Sequence, residues 1–144
     1  MANSLSKKYP ILIRYVKPTH ACDNVIPEEV FQLRDDRDPP EEYISLFHSV
    51  LSDDKSKILE VKEILNKKGF KCRPTSGFLL LNAIDATSDI NLTQMIIEFK
   101  KYGYPHYGMH YLTDDLMDIL EAKTILISCS KLLKLKNISQ SLIQ

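Results

Sequence analysis

Apolar and polar positions along this chain fall into short blocks bounded by proline, glycine or charge. Residues 9–16, YPILIRYV, are β-branched and aromatic and close at Lys17-Pro18, which predicts a strand with Arg14 on the side of Leu12 and Val16. From there to about Pro40 the chain is dominated by Pro27, Pro39, Pro40 and charge, and only Val30–Leu33 is apolar enough to enter a core. Tyr43–Val50 alternates, so a predicted strand carries Tyr43, Ser45, Phe47 and Ser49 on one face and Ile44, Leu46, His48 and Val50 on the other.

Ser52-Asp53-Asp54 offers helix-capping chemistry. Ile58, Val61 and Leu65 then keep a helical period until Lys67-Lys68-Gly69, a basic last turn followed by glycine. Phe70–Arg73 suits a short strand and Ser76–Ile84 a buried one. Ser88-Asp89 reads as the cap of a second helix with a Leu92, Met95, Ile96 and Phe99 stripe, closed by Gly103 and Pro105. Pro105–Leu112 predicts a short final strand, and Thr113-Asp114-Asp115 caps a long helix over about 114–135, although Thr124–Ser128 also has strand composition. Leu116, Ile119, Leu120, Leu126, Ile127, Leu132, Leu133 and Leu135 exceed one narrow stripe, so this helix is either packed centrally or used to build a homo-oligomer. The expected fold is α+β: a small mixed or antiparallel sheet with about three helices, the C-terminal one longest. Residues 1–144 are expected to form one globular domain with a charged, proline-containing connection at about 17–42.

Composition changes this picture little. A chain of 144 residues, 44% apolar and 26% charged, is an ordinary globular protein able to bury its own core. Nineteen basic and nineteen acidic side chains cancel, so no overall field draws the molecule to nucleic acid or an anionic membrane. The layout is uneven: residues 23–42 hold eight carboxylates against Arg34 and Arg37, whereas 53–73 hold seven basic residues against four acidic ones. Cys22, Cys72 and Cys129 are odd in number and lack metal or disulfide spacing, no secretory core is visible, and no apolar run spans a membrane. The expected location is the cytoplasm.

Candidate chemistry is sparse. His106 and His110 are four apart, a spacing that suits a metal or a proton-transfer pair, but Pro105 and Gly108 argue against the helix such motifs use, and ordinary packing is the expectation. Ser45 and His48 fall on opposite strand faces and cannot act together. No glycine loop cradles phosphate, and the aspartates at 35, 36 and 38 lack the glycine of a calcium loop, so no metal or cofactor is expected. Arg14, set among apolar strand residues, needs a partner, and a loop carboxylate is the expected one. Lys131, Lys134 and Lys136 are expected to complement the last helix's dipole.

Two segments stand out as surfaces. One is the acidic loop with Arg34, Asp35, Asp36, Arg37, Asp38, Glu41 and Glu42; the other is the tyrosine-rich run with Tyr102, Tyr104, Tyr107 and Tyr111. They favour a non-enzymatic protein that docks to another protein, such as a bacterial antitoxin or immunity-type inhibitor. The alternative is a small enzyme or ligand-binding protein with a polar cleft built from Arg14, His20, Ser45, His106 and His110, which requires those side chains to converge. Weak nucleic-acid binding through the basic 55–73 segment is a third reading.

Overall fold

The computed structural model describes residues 5–21, 25–34, 39 and 41–138. The β-branched and aromatic blocks become strands: β1 (Ile11–Val16), β2 (Ile44–His48), β3 (Gly77–Asn82), β4 (Ile97–Lys101), β5 (His106–Tyr111) and β6 (Ser130–Lys134). They form one sheet in the order β4-β5-β2-β1-β3-β6, antiparallel at every neighbouring pair. Helix α1 (Pro18–Ala21) and a 3-10 turn (Glu28–Phe31) follow β1; α2 (Asp54–Lys67) follows β2, α3 (Ala83–Ile90) follows β3, and α4 (Leu116–Ser128) lies between β5 and β6.

Both faces of the sheet are used. On the first, Leu12, Val16, Ile44, Leu46, Leu79, Leu81, Phe99 and Met109 pack against Ala21, Val30, Phe31, Ala86, Ile90 and Leu126, which come from α1, the 3-10 turn, α3 and α4. On the second, Ile13, Phe47, Phe78 and Leu80 pack against Ile58 and Val61 of α2 and against Leu135 and Ile138. Each large side chain fully buried here contributes roughly 1.5–3 kcal/mol. With two apolar faces, a one-residue slip of β1 would exchange both sets, so the pairing of Leu12 with His48 and Leu81 is strongly specified.

Helix α2 forms as its sequence signals require. The Asp53 carboxylate accepts from the Ser56 N–H at 2.9 Å, and Gly69, at φ +84°, supplies the left-handed residue after the last turn. It is also the longest helix, at 14 residues against 13 for α4, and five helices are present among the described residues rather than about three.

Several expectations are overturned. The helix placed after Ser88 begins earlier, at Ala83, where the Asn82 side chain caps it by accepting from the Asp85 N–H at 3.1 Å. The supposed stripe of Leu92, Met95, Ile96 and Phe99 is then not helical: Leu92 and Met95 are exposed, while Ile97 and Phe99 alternate inward on β4. Asn91 makes the turn, accepting from the Ile96 and Ile97 N–H groups. The long C-terminal helix stops at Ser128, so Thr124–Ser128 is helical and the last strand is β6. Lys131 and Lys134 therefore sit on a strand rather than a helix end, and Lys131 pairs with Asp54. Phe70–Arg73 is irregular.

Candidate functional site

The acidic segment leaves the sheet through a firmly held base. Val30 and Phe31 are buried, and three elements bind the three residues 30–32. The Arg14 guanidinium donates through Nε to the Val30 carbonyl at 2.7 Å and through Nη1 to the Ser45 carbonyl at 2.9 Å. The Tyr111 hydroxyl donates to the Phe31 carbonyl at 2.7 Å, and Lys123 of α4 donates to the Gln32 side-chain oxygen. Burial holds the Tyr111 phenol well above its ordinary range, against the opposing effect of Arg14. Arg14 shares a face with Leu12 and Val16 as expected, and main-chain carbonyls are among its partners, where a loop carboxylate was expected.

Farther along, the ends of the loop meet. The Arg34 N–H donates to the Glu41 carboxylate at 2.7 Å, and the Glu41 N–H donates to the Arg34 carbonyl at 2.9 Å. Asp35, Asp36, Arg37 and Asp38, named as partner-binding candidates, lie outside the described residues, as does Cys22; Cys72 and Cys129 are free thiols.

Two residues after Glu41 the chain delivers Tyr43 to the second face of the sheet, where it stacks on Tyr102 with ring centroids 4.8 Å apart and planes at 18°. Gly108 of β5 makes room for them: a Cβ there would stand 2.5 Å from the Tyr43 ring and 2.7 Å from the Tyr102 ring. Beside the stack, the Tyr102 hydroxyl meets His110 Nε2 at 2.5 Å, and the His110 ring lies 5.2 Å from that of Tyr43. Among the described residues the apolar cluster on this face takes no hydrophobic side chain from β4 or β5, and the His106 ring lies 5.1 Å from that of Phe47 at its edge. Tyr102 is 45% exposed and Tyr104 52%. The described end of the acidic loop, Glu41 and Glu42, therefore leads directly into the stack of Tyr43 on Tyr102.

The four tyrosines of the run do not act alike. Tyr107, 3% exposed, packs beside His48 with ring centroids 5.5 Å apart, and Tyr111 is tied to Phe31, so both belong to the first face. Tyr102 and Tyr43 form the stack, whereas Tyr104, also exposed, packs edge-on against His48 with ring centroids 5.8 Å apart. The sequence reading missed Tyr43 as a site residue. A glycine inside a strand, flanked by aromatic residues, is the signal that marks such a close approach.

The polar cleft of the alternative reading does not assemble. Arg14 binds at the 3-10 turn on the first face, and His20 feels Lys17, Glu29 and Arg14, its imidazole held below the ordinary value first by burial and then by Lys17. His106 and His110 are on the second face, and Ser45 follows their parity on β2. The two histidines share a face, but four strand residues separate them by about 13 Å, with the tyrosine stack between. His106 Nε2 meets Lys68 Nζ at 3.0 Å; since an ammonium only donates, this imidazole accepts and is neutral there. Burial and then Lys68 lower its pKa, and burial and then Lys100 lower that of His110. Among the described residues no group of His, Cys, Asp and Glu is arranged to hold a metal ion. Clefts of about 420 and 350 Å³ flank β6, and none of the candidate residues lines either. No described helix is long and apolar enough to cross a membrane.

No protein-family model, curated protein or solved structure matches the chain.

Proposed function

We propose that this chain is a non-enzymatic binding protein that docks a basic surface of a protein partner, in the manner of an antitoxin or immunity-type inhibitor. The site is the acidic segment around Arg34–Glu42 together with Tyr43 and Tyr102. One observation carries the reading: the acidic segment is anchored at residues 30–32, closed between Arg34 and Glu41, and continued into an exposed tyrosine stack. Charge held on a fixed base loses little conformational entropy on binding, and rigid aromatic side chains supply contact area at low entropic cost. Acidic residues also speed encounter with a cationic partner.

The test is recovery of partners from the source cells with the tagged chain, run beside Tyr43→Ser/Tyr102→Ser and Glu41→Gln/Glu42→Gln variants of unchanged thermal stability. The reading expects a stoichiometric protein that the wild type retains and both variants lose. Retention of that protein by both variants would overturn it, as would turnover of a small molecule by a purified chain that recovers no partner.

A further inference from the structure

Helix α4 has two unlike sides. Ala122, Lys123 and Leu126 are buried, whereas Leu116 is 78% exposed, Met117 72%, and Leu120 also exposed. Spacings of i to i+4 and i to i+3 place these three on one outward face of the first turns. The Gln94 side chain donates to the Asp118 carboxylate at 3.2 Å, which fastens the 91–96 turn to the same part of α4. That turn presents Leu92, 82% exposed, and Met95. The Leu112 N–H donates to the Ile96 carbonyl at 2.7 Å, adding another exposed leucine. Isolated apolar side chains in water are ordinary, but six on adjoining segments form a patch.

The patch has an acidic rim. Asp114 and Asp115 lie just before α4 and Asp118 and Glu121 in its first two turns, and the next basic residue, Lys123, is buried and bonded to Gln32. Among the described residues no cation pairs with any of the four. Desolvation, then Asp115 and Glu121, push the Asp118 carboxyl above its ordinary value. Crowded carboxylates beside exposed apolar side chains gain from positive charge brought by a partner.

We infer that the first turns of α4 and the 91–96 turn form a docking face for a cationic amphipathic helix of another protein. Leucine and methionine would anchor on Leu92, Met95, Leu116, Met117 and Leu120, and the partner's lysines and arginines would meet the acidic rim. The two exposed methionines suit such a groove because their flexible side chains adapt to varied apolar partners. An anionic membrane is repelled by the rim, and a two-fold dimer through this face would set the four acids against their copies.

The probe is a labelled Leu/Lys amphipathic peptide of about 18 residues, or five turns, titrated into the full chain at low salt beside a Leu/Glu peptide of the same pattern. The Leu/Lys peptide is expected to bind saturably and the Leu/Glu peptide not. Leu92→Ser and Met117→Ser, on separate segments and both exposed, should each weaken binding by about fivefold or more. Asp114→Asn/Asp115→Asn/Glu121→Gln should weaken it and flatten its salt dependence. Tyr43→Ser/Tyr102→Ser should leave it unchanged, which keeps this face distinct from the loop surface. Equal binding of both peptides, or binding indifferent to Leu92→Ser and Met117→Ser, would overturn the inference. A concentration-dependent dimer that Met117→Ser dissolves in sedimentation would assign the face to a second copy and overturn it equally.

Discussion

Strand β5 meets two different environments across its own thickness. Tyr107 and Met109 point into the core shared with α3, α4 and the 3-10 turn, while the alternate positions, His106, Gly108 and His110, lie under a thin layer of tyrosine and lysine side chains. The backbone and the neighbouring strands are the same for both sets; only the parity of the residue differs. One face therefore supplies cohesion and the other a patterned surface, and substitutions one position apart should have unlike consequences.

The largest effect should come from the core parity. Met109→Ala empties a fully buried site and is expected to destabilise the fold by about 2–5 kcal/mol, measured by urea unfolding. Gly108→Val tests the other parity: the new side chain must push the Tyr43 and Tyr102 rings away, costing about 1–3 kcal/mol and erasing the near-UV dichroism of the stack. If Gly108→Val proved as costly as Met109→Ala with that signal intact, the contrast between faces would fail. Tyr102→Phe removes only the hydroxyl bonded to His110 and should cost about 0.5–1.5 kcal/mol.

The smallest effect is one of pH, and His20 on the first face shares in it. His106 and His110 have folded-state values lowered from the ordinary 6.5, so below that pH the unfolded chain takes up protons more readily than the folded one. Their contribution to stability is complete above 6.5 and declines as pH falls toward the lowered values. Unfolding free energies measured between pH 5 and 7 should slope upward with pH, and His106→Gln/His110→Gln should reduce the slope. Met109→Ala should leave it in place.

Much of this architecture was legible in the sequence because its signals were bounded. Lys17-Pro18 ends β1, Asp53 and Gly69 bracket α2, and strict alternation identifies β2, including the opposed faces of Ser45 and His48. The errors arose where one element runs into the next without glycine or proline. Asn82 ends β3 and caps α3 at once, so an apolar strand flows into Ala83–Ile90 with no visible break. Cys129 joins α4 to β6 in the same way, and continuous leucines disguised the change of period. At the surface, the acidic loop and tyrosine run were visible as composition, but their meeting was not: the stack depends on pairing between β2 and β5, a contact between residues distant in sequence.

The reciprocal bonds between Arg34 and Glu41 have a practical consequence for engineering. They tie Arg34 and Glu41 into a clasp, so an insert grafted between them starts and ends on a hydrogen-bonded pair. Lengthening such an insert adds closure entropy only logarithmically, about 0.6 kcal/mol for each doubling. A foreign epitope grafted between these two residues should be carried by the scaffold as a constrained ring rather than as a dangling tail.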